Sequence, residues 1–144
     1  MTATTDQITD ASAHACAPSS LEFAALPAPG AELAGGRFAG VTTTKEGLHC
    51  AVVLLPEQAS DITWREAKEW AASLGGQLPT RPAAALLYAL CKPLLRPKWH
   101  WTCEEDEDDA SSAWICTFSY GLQGGSLKGC RGSAVAVRLI PIAS

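Results

Sequence analysis

The chain has 144 residues, of which 47% are apolar and 18% charged, and its formal net charge at neutral pH is -4. These values are typical of one globular domain with its own core, and they exclude a disordered chain or two ordinary domains. Basic residues are dispersed apart from one loose group at Lys92, Arg96 and Lys98, so we expect neither nucleic acid nor a membrane as a partner.

The first 30 residues are rich in Ala, Thr, Ser and Pro and have no sustained period. We therefore predict a flexible N-terminal arm over residues 1–30 and a folded domain over residues 31–144. The segment Met1–Ile8 lacks the charged start and apolar core of a signal peptide. No apolar run reaches the roughly 18 residues of a membrane helix. We expect a cytoplasmic protein, or one carried out by a virion or a dedicated secretion route.

Two strands are predicted first, at Phe38–Thr43 and Leu48–Leu55. The second is nearly continuous in apolar residues, which is typical of a strand covered on both faces. Lys45–Gly47 between them predicts a hairpin turn. His49 stands alone in this region, and we interpret it as a structural or edge-exposed imidazole.

A first helix follows, because Thr63 and Glu66 have the spacing of a capping box and Gly75-Gly76 supplies a left-handed stop. One apolar stripe of this helix contains Trp64, Ala67, Trp70, Ala71 and Leu74. A second helix is predicted from Ala83 to Cys91, where Pro93 blocks its continuation. It is apolar nearly all round, so we expect it to be buried on most sides.

The C-terminal part alternates with period two, which predicts antiparallel strands joined by loops. On the first strand, Trp99, Trp101 and Cys103 share one face and His100 and Thr102 the other. On the second, Trp114, Cys116 and Phe118 are predicted to point inward, and Ile115 and Thr117 outward. A third strand places Val135, Val137 and Leu139 opposite Ala136 and Arg138. The fold class predicted is α+β, with two helices packed on antiparallel β-sheets.

Six cysteines are present, at positions 16, 50, 91, 103, 116 and 130. None forms a Cys-x-x-Cys pair or has a His at metal-ligand spacing, so no zinc site is expected. The simplest interpretation makes them small buried apolar residues. A disulfide among Cys103, Cys116 and Cys130 is the alternative.

The acidic run Glu104–Asp109 raises the question of a calcium loop, since hard cations prefer several oxygen ligands. It has no glycine at a turn position and no alternating ligand spacing, and the chain contains no Asn. A solvated acidic loop is therefore favoured, and no metal or cofactor is predicted. His100 and Cys103 fall on opposite faces of their strand, which argues against a catalytic pair. We predict that the protein is not an enzyme.

Several segments together carry a family resemblance. In chain order they are Gly35-Gly-x-Phe-Ala-Gly, Cys50-Ala-Val-Val-Leu-Leu, Trp64-x-x-Ala-Lys-x-Trp-Ala, Gly75-Gly-x-Leu-Pro-Thr-Arg, Ala84-Ala-Leu-Leu-Tyr-Ala, Trp101-Thr-x-Glu, Ala113-Trp-x-x-x-Phe-x-x-Gly121-x-Gln and Arg131-Gly-x-Ala-x-Ala-Val-Arg138. Over about residues 35–142 the chain resembles a family of bacterial and phage proteins of uncharacterised function with a C-type-lectin-like domain. Similar folds include lectins, phage receptor-binding proteins, variable proteins diversified by retroelements, and formylglycine-generating enzymes.

The chain departs from the family's pattern at several positions. Ala83 stands where the family usually has Glu, and Cys103 stands where it has Ser. Leu122 and Cys130 occupy positions that are usually aromatic, with the bare segment Gly124-Gly-Ser126 between them. Such changes are typical of a diversified binding surface and equally of drift in a non-critical loop.

The resemblance and the residue-level arguments above together predict a non-enzymatic, calcium-independent binding module, associated with phage or prophage, that recognises a protein or other macromolecule through its C-terminal surface. The predicted ligand-binding residues are His100, Ile115, Thr117, Tyr120, Leu122, Gln123, Ser126 and Lys128. Trp99, Trp101 and Trp114 are assigned to the core. Two alternatives are kept: an intracellular phage accessory protein that binds a host factor, and an enzyme on a scaffold like that of formylglycine-generating enzymes.

Overall fold

The computed structural model describes residues 19–143. Two helices and eight strands form this part of the chain, so the α+β class is confirmed. The strands are β1 (Leu21–Glu22), β2 (Glu32–Leu33), β3 (Gly36–Thr43), β4 (His49–Ile62), β5 (Trp99–Glu105), β6 (Ser112–Thr117), β7 (Leu122–Leu127) and β8 (Gly132–Ala143). The helices are α1 (Trp64–Ser73) and α2 (Arg81–Leu90), and short 3-10 turns lie at Phe23–Ala25 and Lys92–Leu94.

The strands form one mostly antiparallel sheet in the order β2-β3-β4-β8-β5-β6-β7. Two pairings are parallel, and both involve β8: one with β5 and one with β1, through Leu21 and Ile142. The last strand of the chain therefore lies in the middle of the sheet, between β4 and β5. Residues 1–18 of the predicted arm lie outside the described residues, and β1 belongs to its remaining part.

Both faces of the central strands are covered. Val52 on β4 and Val135 and Val137 on β8 pack with α2. On the opposite face Ala134 and Ala136 pack with α1. This explains why β4 reads as a nearly continuous apolar run, because neither of its faces meets water there. The predicted alternation on β8 is confirmed for Val135, Val137 and Ala136.

Helix α1 begins and ends where its local signals indicate. The Thr63 hydroxyl accepts a hydrogen bond from the Glu66 amide, and the Glu66 carboxylate accepts one from the Thr63 amide at 3.0 Å. These bonds hold the pKa of Glu66 below its usual value. Gly75 follows the helix with φ at +77°, in the left-handed region. The predicted capping box and stop are confirmed.

Two boundaries differ from the prediction. Helix α2 begins at Arg81, with Thr80 as its N-cap, rather than at Ala83. Pro82 is tolerated because an amide in the first helical turn has no partner within the helix to lose. Strand β4 continues past Leu55 to Ile62, with breaks in its register against β8, and Pro56 lies on an exposed side. Neither of the two described helices has the length and apolar character of a membrane span.

Candidate functional site

Strand β7 forms one edge of the sheet. Within residues 19–143 it pairs with β6 and with no second strand, so its other edge leaves backbone groups open. Leu122 and Leu127 at its two ends are 67% and 57% exposed, and Tyr120 in the turn before it is 74% exposed. The strand contains neither a charged residue nor a proline, the features that usually protect an edge.

The register with β6 places the predicted ligand-binding residues on two faces. Directly paired residues of antiparallel strands share a face. Gln123 pairs with Cys116, which is buried on the side of α2. The residues on the opposite face are Ile115, Thr117, Leu122 and Ser126. Ile115 on that face is half-buried against the core beneath α1, so it contributes less to the surface than its outward prediction implied.

His100 is buried, and its predicted place on the outward face is wrong. Its side chain is 1% exposed, with the ring 4.6 Å from that of Phe118 on the side covered by α2. Nδ1 lies 2.8 Å from the Lys98 carbonyl oxygen. A carbonyl only accepts, so Nδ1 carries the hydrogen and Nε2 is left as an acceptor, with no partner among the described residues. Burial lowers the pKa of His100 to about 4, and the nearby Arg96 adds to this effect.

Trp114 is half-exposed rather than a core residue. The Arg81 guanidinium lies 3.6 Å from the centroid of its ring. Arg81 Nε also donates to Gln123 Oε1 at 2.8 Å, and Gln123 Nε2 donates to the Arg81 carbonyl at 2.8 Å. The first residue of α2 thus holds β7 from one side. Sequence reasoning missed Arg81, because nothing local indicates that it meets β6 and β7.

Glu104, the first residue of the acidic run, is half-buried and not part of a solvated loop. Its carboxylate accepts a hydrogen bond from the Arg81 amide at 2.8 Å. At the other end of the run the Asp109 carboxylate accepts hydrogen bonds from Ser111 and Ser112, which lower its pKa. No cluster of three or more His, Cys, Asp or Glu residues in the described part is arranged to hold a metal ion.

Lys128 makes several contacts within the protein. Its ammonium forms an ion pair with Glu105, donates to the Ala110 carbonyl at 2.7 Å, and lies 4.7 Å from the centroid of the Trp64 ring. The ion pair lowers the pKa of Glu105. Lys128 therefore fastens the acidic loop near the start of α1, although it was predicted as a contact for a ligand.

The five described cysteines are unpaired, so the alternative disulfide among Cys103, Cys116 and Cys130 does not form. Cys50, Cys91 and Cys116 are buried as predicted, whereas Cys130 is exposed. Burial raises the thiol pKa of Cys50, Cys91, Cys103 and Cys116. Cys16 lies outside the described residues.

No protein-family model matches the chain, and no curated protein matches it. Its function is therefore argued from its surface. We use the name β7 surface for the open edge of β7 together with Tyr120, Leu122, Gln123, Ser126 and Leu127. Leu127 was not predicted as a contact residue, because no strand was predicted at residues 122–127; it is 57% exposed on β7.

Proposed function

We propose that this protein is a non-enzymatic recognition module with a C-type-lectin-like fold, and that it binds a protein partner through the β7 surface without calcium. The observation that carries the proposal is an open strand edge bordered by three exposed apolar or aromatic side chains, Tyr120, Leu122 and Leu127. Such edges accept an extended segment of another chain as an additional strand.

The composition of β7 suits strand addition. Open backbone amides and carbonyls supply affinity, and the alternating side chains supply specificity. A Cβ atom added to Gly124 would meet no other atom within 4 Å, which leaves room over the strand for side chains of the partner. Fully burying an exposed Leu contributes about 1.5–3 kcal/mol, so burial of Leu122 and Leu127 would add to the affinity that the backbone hydrogen bonds supply.

The β7 surface is also held in place before a partner arrives. The paired hydrogen bonds between Arg81 and Gln123 connect β7 to the start of α2, and Arg81 in turn stacks on Trp114. A surface that is already ordered loses less conformational entropy on binding. This arrangement supports a recognition role for the strand.

The state of the reactive side chains favours binding over the enzyme alternative. Burial raises the pKa of the Cys103 and Cys116 thiols, which keeps them protonated near neutral pH. His100 is enclosed and neutral. A nucleophile that lacks an accessible base is not activated for catalysis.

Part of the departure from the family pattern falls in one segment, whereas Ala83, Cys103 and Cys130 lie elsewhere. Leu122 and Gly124-Gly-Ser126 all lie on β7, on the surface that we propose for recognition. Encoding by a phage, prophage or related element is part of this proposal. A reverse transcriptase gene nearby, with a near-repeat of the C-terminal coding segment, would support diversification by a retroelement; their absence favours drift.

The binding mode is tested with peptides of eight residues selected from a random library on the full chain. We expect Leu122→Ser and Leu127→Ser each to weaken binding of the selected peptides about 10-fold or more. Leu48→Ser is the matched control, because Leu48 is 56% exposed on the β3–β4 turn, away from β7. Two N-methylated peptides are compared, one methylated at the odd-numbered amides and one at the even-numbered amides. Only one of them should lose binding, since every second amide of an added strand points toward β7. Peptides that bind equally to all three variants, or that tolerate N-methylation throughout, would refute the proposal.

A further inference from the structure

A second candidate site lies at the end of the sheet where β5 and β8 begin. It is a cleft of about 580 Å³ at the starts of β5 and β8, beside the end of β4. Three cationic side chains line it: Arg96 and Lys98 from the segment before β5, and Arg131 from the turn before β8. We use the name basic cleft for this opening.

The parallel pairing of β5 and β8 explains how these cations meet. His100 pairs with Ser133 in parallel, so the two strands start at the same end of the sheet. Residues that immediately precede each strand are therefore brought together there, although Arg131 is far from Arg96 and Lys98 in sequence. Arg96 and Lys98, two of the three residues in the loose basic group of the sequence, are thus joined by Arg131, whereas Lys92 does not line the cleft.

The positive charge in the basic cleft is available to a ligand. Within residues 19–143 no carboxylate forms an ion pair with Arg96 or Lys98. Arg131 donates to the Asp61 carbonyl at 3.1 Å. It also lies 3.9 Å from the Glu66 carboxylate, and the Arg131 and Glu66 side chains are both more than half exposed. Asp61 is the one acidic residue among the described lining residues. The cleft thus carries a formal excess of positive charge in a chain whose net charge is -4.

The lining of the basic cleft also includes hydroxyl groups and the tightly packed ring of Trp99. Ser60, Thr117 and Ser133 contribute hydroxyl groups to its lining. The Trp99 ring lies so close to Gly132 that a Cβ at that position would stand 2.3 Å from it. The ring also contacts Trp101 edge-on, with centroids 5.1 Å apart. The ring is therefore held by packing on two sides.

We propose that the basic cleft binds a phosphate group, held by Arg96, Lys98 and Arg131. A phosphate monoester carries a charge between about -1.5 and -2 at neutral pH and three acceptor oxygens. Guanidinium forks match such oxygens with paired hydrogen bonds, and an ammonium adds a point charge. A volume of about 580 Å³ lies within the range of small-molecule sites, so the cleft has room for the organic part of a phosphorylated metabolite as well. The cleft shares no residue with the β7 surface, although Thr117 in its lining pairs directly with Leu122, and the proposal does not depend on the function of that surface.

The proposal is tested by calorimetric titration of the full chain at low salt with inorganic phosphate, glucose 6-phosphate and adenosine monophosphate in separate runs. We expect saturable binding of at least one probe, weakened about 10-fold or more by Arg96→Gln and by Arg131→Gln. Arg65→Gln is the matched control, because Arg65 is exposed on α1 and does not line the basic cleft. Circular dichroism spectra that match the unmodified protein establish that each variant is folded, and Lys98→Gln replaces any variant that is not.

Equal affinity for all three probes would identify phosphate itself as the ligand, and tighter binding of one organic probe would identify a phosphorylated metabolite. Both results support the site. Absence of saturable binding by all three probes would overturn the proposal. So would equal weakening by Arg65→Gln, since that result would indicate unspecific attraction to surface charge.

Discussion

The Glu104 carboxylate on β5 accepts a hydrogen bond at 2.8 Å from the backbone amide of Arg81, the first residue of α2. The Thr80 hydroxyl caps the Ala83 amide, and Glu104 from a neighbouring strand supplies a second acceptor, for the Arg81 amide. A Glu in place of Ala83, as in a capping box, would accept from the Thr80 amide instead. Ala83 is fully buried in the core beneath α2, where a carboxylate would lose its hydration. A neighbouring strand therefore provides the negative charge at the helix start, where it interacts favourably with the helix dipole.

Removal of this cap should weaken the fold. We expect Glu104→Ala to lower the free energy of unfolding by about 1 kcal/mol, the usual net contribution of one hydrogen bond. The measurement is urea unfolding followed by circular dichroism. Glu107→Ala is the control, since Glu107 is exposed in the same acidic loop and should change stability little. Equal loss in both variants would assign the effect to the charge of the loop and not to the cap.

His100 should make stability depend on pH. Its pKa is about 4 in the folded protein, against an ordinary value of 6.5. The unfolded chain therefore binds the proton first, and stability falls as pH decreases from about 6.5 to about 4. The gap between the two pKa values corresponds to roughly 3 kcal/mol once both forms are protonated.

This dependence is measured by urea unfolding at roughly half-unit steps of pH between about 7.5 and 4.5. The unmodified protein and His100→Phe are compared. The variant keeps an aromatic ring against Phe118 but has no proton to bind. Its stability should decline less over this range, although loss of the bond to the Lys98 carbonyl lowers its stability at neutral pH. Parallel curves for the two proteins would contradict the assignment to His100.

Gly132 should not tolerate a side chain. A Cβ there would stand 2.3 Å from the Trp99 ring, which is held by Trp101 and cannot withdraw without moving the core. We expect Gly132→Ala to lower the free energy of unfolding by about 2 kcal/mol or more. At Gly129 nothing lies within 4 Å of the same atom, so Gly129→Ala should be nearly neutral. Thermal unfolding of both variants makes the comparison, and a neutral Gly132→Ala would show that the Trp99 ring is free to move.

Arg81 should be irreplaceable by lysine. Its guanidinium both stacks on Trp114 and donates through Nε to Gln123, and an ammonium cannot do both. We expect Arg81→Lys to cost about 1 kcal/mol of stability and to speed hydrogen exchange of the β7 amides. Arg65→Lys on the exposed side of α1 is the control. If hydrogen exchange of the β7 amides is unchanged in Arg81→Lys, then Arg81 does not order that strand.

Much of the fold was predictable where the signals are local. The boundaries of α1 follow from Thr63, Glu66 and Gly75, which lie next to the backbone groups that they satisfy or terminate. Much less of the candidate site was predictable. Alternation along β5 correctly placed His100 and Trp101 on opposite faces of the strand. Both faces are covered by other parts of the protein, so neither residue is exposed to solvent. Leu127 was missed because β7 itself was not predicted: its glycines and serine lack the apolar alternation that indicates a strand.

The amino-acid order by itself determined the helices, the hairpin turn at Lys45–Gly47 and the alternating faces of the strands, since each depends on residues a few positions apart. Only the tertiary structure decided which strands are neighbours. The insertion of β8 between β4 and β5 leaves β7 as an open edge and brings Arg131 to Arg96 and Lys98. Strand order depends on which arrangement of the whole chain leaves the least apolar surface exposed and the fewest backbone groups unpaired. A local sequence pattern does not contain that information.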